Sequence, residues 1–178
     1  MNQLVQSLDR LKREEPAKLA ALLVALLGLA TIGGAWFFQL VIGLPPCPLC
    51  LEQRYAYYLA MPLAAFLAYF AAHGAPRKFL MAGFAVLLVA TLANAWLGGY
   101  HAGVEWKFWP GPTDCSGPIV DFGKAGNLLE QLDKVKVVRC DEVQWRFLGL
   151  SFAGYNVLIS LSMAVIALFG LVRSARKA

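Results

Sequence analysis

Four long stretches of this sequence contain no Asp, Glu, Lys or Arg: Leu19 to Leu51, Tyr55 to Pro76, Phe79 to Val104 and Phe147 to Val172. An ionised side chain at the centre of a bilayer costs several kcal/mol, so spanning helices exclude it. Each stretch supplies the roughly 20 apolar residues that a helix needs to cross about 30 Å of hydrocarbon. Composition agrees, with 59% hydrophobic and 15% charged residues and a mean hydropathy of +0.58, outside the range of soluble domains. The expectation is an all-α, integral membrane four-helix bundle, one domain over residues 1–178, with short amphipathic interfacial helices beside the spans.

Proline places the boundaries. Pro45 and Pro46 end the first span, because proline lacks a backbone donor and biases its predecessor away from helix. The expected spans are about 18–41, 54–72, 78–99 and 151–172, with Pro62 inside the second and His73 to Pro76 breaking the chain after it. The connections about 42–53 and 100–150 remain. Lys and Arg set the orientation. They fall at Arg10, Lys12, Arg13 and Lys18, at Arg77 and Lys78, and at Arg173, Arg176 and Lys177. With four spans these three segments share one side, expected to be the cytoplasm, and both termini lie there. The two remaining connections then face outward. The first span reads as an anchor rather than a cleaved signal, since Trp36, Phe37 and Phe38 continue its apolar run.

The net charge of +5 needs no nucleic acid as partner, because most of the excess lies in the inner segments, where orientation and anionic lipid account for it. Leu4, Val5, Leu8 and Leu11 recur at helical spacing beside basic residues, the pattern of an interfacial amphipathic helix. Leu128, Leu129, Leu132 and Val135 repeat that pattern in the longer outward loop.

All four cysteines lie in the outward connections, a distribution that points to redox chemistry in an oxidising compartment. Cys47 and Cys50 have the Cys-x-x-Cys spacing, in which one thiol can resolve a mixed disulfide formed by the other. Cys50 is expected just before the second helix, where unpaired amides and the helix dipole stabilise a thiolate. Arg54, four residues on, adds its charge on the same face. Cys115 and Cys140 are separated by a loop of about 26 residues, and a bridge between them is either a redox disulfide or a staple for that loop. Four cysteines allow three pairings, and sequence alone does not choose among them. A zinc site is disfavoured, because closed four-cysteine sites offer two short-spaced pairs and the second pair here is not short; no metal is expected.

The segments Pro46-Cys47-Pro48-Leu49-Cys50 with Gln53-Arg54, Tyr100-His101, Cys140-Asp141-Glu142, Gln144-Trp145 and Phe147-Leu148-Gly149-Leu150 together resemble the DsbB family of bacterial inner-membrane disulfide bond formation proteins. The match covers nearly the whole chain. The resemblance implies an enzyme, a protein-dithiol:quinone oxidoreductase in the inner membrane, that reoxidises a periplasmic DsbA-like oxidant and passes the electrons to ubiquinone or menaquinone. It implies that Cys115 is attacked by the partner's thiol, that Cys140 is released and engages Cys47, and that Cys50 is left as the thiolate facing the quinone. Arg54 is similar to the family's quinone-binding arginine, and His101 to a histidine near the same ring. The family often carries an acidic residue just before that arginine; Gln53 stands there in this chain, with Glu52 before it, and neither is given a role.

Plainer readings stand beside these roles. Trp96, Trp106, Trp109 and Trp145 read as an interfacial belt. His101 reads equally as a satisfied interfacial histidine, and Asn94 and Asn156 as interhelical hydrogen-bond partners. Two other functions fit the same cysteines. A vitamin K epoxide reductase-like enzyme carries its short pair nearer the last spans, and a non-catalytic, disulfide-braced scaffold has no use for Arg54 one turn after Cys50.

Overall fold

The structure, a computed structural model, describes residues 2–112 and 138–175, with the backbone alone described over 2–15. Its helices are α1 (Asn2–Leu40), α2 (Pro48–Ala72), α3 (Arg77–Glu105) and α4 (Phe152–Ala175); a two-residue hairpin, β1 (Arg146–Phe147) and β2 (Leu150–Ser151), precedes α4. Within them, Pro16–Leu40, Pro48–Ala72, Arg77–Glu105 and Phe152–Ala175 are each long and apolar enough to cross a membrane. The four-helix membrane bundle expected from the charge-free windows is the observed fold.

Small residues let the helices approach closely, as association inside lipid requires. Ala17, Ala20, Ala21 and Val24 of α1 are buried against Ala60, Ala64, Leu67, Ala68 and Ala71 of α2 in one cluster, to which Leu80, Phe84 and Leu87 of α3 and Met163 and Ala167 of α4 also belong. The lipid-facing sides carry large apolar residues such as Leu26, Val89, Trp96 and Val165. Along α3 the buried residues Leu80, Phe84, Leu87, Thr91, Asn94, Gly98 and His101 recur every three or four positions, a single inward stripe. The corresponding stripe of α2 holds Leu49, Gln53, Tyr57, Ala60, Ala64, Leu67 and Ala71.

Three boundaries differ from those read in the sequence. Helix α1 starts at Asn2 and runs through Pro16, so the amphipathic amino-terminal stretch is continuous with the first span. Helix α2 starts at Pro48 rather than near residue 54, because Pro48 takes the first helical position, where its missing N–H costs nothing, and Cys47 caps the turn. Helix α3 runs to Glu105 and carries His101 inside its last turns. The expected amphipathic segment 128–135 and Cys115 lie outside the described residues.

At the end of the bundle opposite the α2–α3 turn, the β1–β2 hairpin pairs Arg146 with Ser151 and Phe147 with Leu150. Its two-residue turn has φ +48° at Leu148 and +83° at Gly149, the left-handed pair that a tight hairpin turn requires. Glycine adopts that conformation at no steric cost; Leu148 adopts it with its side chain 84% exposed.

Candidate functional site

The short cysteine pair forms the first turn of α2. Cys47 is the N-cap, with extended backbone, and its Sγ accepts the Cys50 backbone N–H at 3.2 Å. Cys50 therefore sits within the first turn, not ahead of it, still among the amides at the positive end of the helix. Both are free thiols, whereas Cys140 is disulfide-bonded. The Cys50 sulfur beside it, and then burial, hold the Cys47 thiol well above the ordinary thiol range.

The two cysteine sets meet. Cys47, Leu49 and Cys140 form one buried cluster, against which Cys50, Leu97, Tyr100 and Val138 pack. Cys47 and Cys140 are 2% and 1% exposed. The chain after Cys140 is held by Asp141, which accepts Arg139 Nε and Nη2 at 2.9 and 2.8 Å and Lys107 Nζ at 2.6 Å. These partners, Arg139 foremost, hold the Asp141 carboxyl well below the usual carboxylate range.

His101 lies under the pair, 3% exposed, with Nε2 3.7 Å from Cys47 Sγ. Its Nδ1 is 2.9 Å from the Gln53 side-chain nitrogen. From Gln53 a buried polar chain descends into the bundle. Asn156 Nδ2 donates to Gln53 Oε1 at 2.6 Å, and Asn156 Oδ1 accepts Tyr57 Oη at 2.5 Å and Asn94 Nδ2 at 3.1 Å. Asn94 and Asn156 are thus the interhelical partners expected of them. On the other side of His101, Glu105 Oε1 lies 3.9 Å from Nε2, and the Ser151 hydroxyl donates to the Glu105 carboxylate. Gln53, Tyr57 and Glu105 carried no role in the sequence reading; their signal was their place on the inward stripes.

Cys47, Cys50 and His101 each present a ligand atom within 4.8 Å of the other two, close enough to surround one ion. Whether the imidazole has a lone pair on that side depends on its tautomer.

Arg54 reaches across to α1. Its Nη1 donates to Gln39 Oε1 at 2.6 Å, Nη2 reaches the Ala35 carbonyl at 3.5 Å, and the guanidinium lies 5.5 Å from the Trp36 ring centroid. A cavity of about 410 Å³ opens between α1, α2 and α4, and Cys50, Arg54, His101 and Glu105 all line it. Its far wall is aromatic: Trp145 stacks on Phe152 at 4.8 Å and Phe38 packs 4.9 Å from Phe152. Trp145 therefore lines the cavity, whereas Trp96, Trp106 and Trp109 do not and are exposed. The arrangement suits a flat apolar ring with polar edges: aromatic faces to stack on, an arginine with donors to spare, and a thiol at the wall.

Comparison with known proteins agrees with this geometry. The profile of the family described as Disulfide bond formation protein DsbB matches residues 17–170. The chain is 32% identical over 161 residues to Disulfide bond formation protein B 1 of Pseudomonas fluorescens, covering 87% of this chain and 89% of that protein. It is 33% identical over 162 residues to Disulfide bond formation protein B of Marinobacter nauticus, covering 85% and 89%. Against Disulfide bond formation protein B 1 of Pseudomonas putida the identity is 30%, over the full length of both. Fold, cysteine arrangement and sequence therefore converge, and the chain belongs to the DsbB family of membrane proteins that form disulfide bonds.

Proposed function

We propose that this membrane oxidoreductase takes two electrons from a reduced, DsbA-like dithiol protein and delivers them to a quinone held in the cavity. The observation that carries the reading is the shared burial of Cys47 and Cys140 in one cluster, with Cys50 at its edge and on the cavity wall. In this reading Cys115 is attacked by a partner thiolate, which releases Cys140 as a thiolate. The partner's second thiol then displaces Cys115, and the partner leaves oxidised. The electron pair passes by disulfide exchange from the Cys115–Cys140 dithiol to a Cys47–Cys50 disulfide, which reduction of the quinone re-forms from the two free thiols, each exchange forming one S–S bond and breaking another.

A bound quinone supplies the terminal acceptor, taking two electrons and two protons to become quinol. Cys50 faces that acceptor. Arg54 holds a carbonyl edge and is itself positioned by Gln39. Trp145, Phe152 and Phe38 exclude water and stack on the ring. Ubiquinone is the first choice, with menaquinone as an alternative. The basic end of the bundle, where Arg77 donates to the Ala175 carbonyl, is assigned to the cytoplasm, and the cysteine end to the periplasmic face of a bacterial inner membrane.

The test mixes purified protein, a reduced DsbA-like partner and ubiquinone, and follows thiol loss and quinone reduction together. Two partner thiols should disappear for each quinone reduced. Thiol loss with no quinone reduction, or quinone reduction that survives loss of Cys50, would defeat the reading.

A further inference from the structure

The hydrogen bonds around His101 decide which ring nitrogen carries the hydrogen. The Leu49 backbone carbonyl can only accept, and it lies 3.1 Å from the Gln53 side-chain nitrogen, so the amide presents nitrogen there. That same nitrogen is 2.9 Å from His101 Nδ1. The other end of the Gln53 amide is fixed independently. Its Oε1 accepts from Asn156 Nδ2, and Asn156 is held that way round by the Asn94 backbone carbonyl, which can only accept and lies 3.5 Å from the same nitrogen. The side-chain amides of Asn94, Asn156 and Gln53 thus donate in series toward the imidazole. Nδ1 receives a hydrogen bond and must hold a lone pair, which leaves the hydrogen of the neutral ring on Nε2.

We infer that Gln53 is a positioning residue that locks His101 as the Nε2–H tautomer, aimed at Cys47 Sγ 3.7 Å away, so that His101 donates to this sulfur rather than accepting its proton. The inference deepens the function proposed above and rests on the redox role given there to Cys47. A sulfur leaving a disulfide as a thiolate gains from a donor already in place. The titratable groups facing the ring are Cys47 and Cys50 at the start of α2 and Glu105 one turn along α3. Glu105 Oε1, at 3.9 Å, is beyond hydrogen-bond range of Nε2, so the acceptors beside the ring are the Cys47 sulfur and the Cys140 backbone carbonyl. With its hydrogen on Nε2 the ring has no lone pair toward the two sulfurs, and the trio is arranged for donation rather than for holding a metal ion. A glutamate at position 53 would invert the pair: its carboxylate would accept from Nδ1–H and leave Nε2 as a base toward Cys47.

The test is the imidazole ¹⁵N spectrum of detergent-solubilised protein labelled at histidine, with His73→Gln used to assign the second of the two histidines. In the parent, Nδ1 of His101 should have the shift of an unprotonated nitrogen and Nε2 that of a protonated one. Gln53→Glu should exchange the two, and Gln53→Met, which keeps the volume and removes the hydrogen bond, should give a mixture. In a Cys50→Ser background, Gln53→Glu should also speed alkylation of Cys47 at neutral pH by about tenfold or more, as a positioned base does. A hydrogen on Nδ1 in the parent overturns the inference outright, even if no variant folds. An unchanged spectrum in folded Gln53→Glu does the same. These spectra require no turnover, so failure of the quinone assay and failure of the tautomer are separate results.

Discussion

The Arg54 guanidinium on α2 is tied to Gln39 near the end of α1, with Nη1 2.6 Å from Oε1. The residue that lies one turn after Cys50 in sequence is therefore oriented by a different helix. Lysine keeps the charge and loses the planar fork that can hold Gln39 and a quinone carbonyl together. Arg54→Lys should raise the apparent quinone KM at least about tenfold, each tenfold loss in kcat/KM corresponding to about 1.4 kcal/mol. A single turnover with the partner, which uses only the cysteines, should continue. Gln39→Ala should shift KM in the same direction by less. An unchanged KM in both Arg54→Lys and Arg54→Ala would make this residue a lipid anchor.

Cys140→Ser removes the thiol that continues the relay. A mixed disulfide between Cys115 and the partner should then accumulate and appear on a non-reducing gel. Trapping through Cys140 in a Cys115→Ser variant, with none through Cys115, would exchange the two assignments.

Gly170 on α4 sits against the buried ring of Phe84, and a Cβ built on it would meet Phe84 Cε1 at 2.3 Å. Gly170→Ala should destabilise the bundle by about 1–3 kcal/mol through overpacking. Thermal unfolding in detergent measures it, and Gly170→Ala combined with Phe84→Leu should recover part of the loss. A midpoint equal to the parent's in the single variant would contradict this packing.

The Asp141 cluster predicts a response to acid. A carboxyl whose folded pKa lies below its unfolded one stabilises above the ordinary carboxylate range, near about pH 4, and loses that contribution as pH falls further. The contribution should be small, because the groups are solvent-screened. Neutral pH should leave the tie between Lys107 and Asp141 intact, and strong acid should release it. At neutral pH, Asp141→Asn should reproduce the tryptophan fluorescence of the acidified parent, since Trp106 and Trp109 flank Lys107. A variant indistinguishable from the parent at both pH values would rule out a role for this cluster in holding the Cys140 segment.

The bundle was legible in the sequence because lipid leaves so few solutions: four charge-free windows can only be four helices. The same windows hid the site's inner half. Gln53 and Glu105 fall in the expected outward connections 42–53 and 100–150, since polarity next to an apolar window looks like the start of a loop. Their phase was nonetheless present, for Gln53 and Tyr57 fall in register with Ala60 and Ala64, and His101 and Glu105 with Asn94 and Gly98.

What the sequence by itself determined is the number of spans, the sharing of one end by the two cysteine sets, and the chemistry that a Cys-x-x-Cys and a distant pair can perform. Those follow from local quantities: hydropathy over about 20 residues, the positions of Lys and Arg, and the spacing of thiols. Only the tertiary structure decided that Arg54 bonds to Gln39, that Cys140 packs on Cys47, and that Gln53 and not a carboxylate faces the imidazole. Each is a contact between residues far apart in the chain, made when helix rotation brings one stripe against another. A local pattern fixes the stripe but not which residue of the next helix stands opposite.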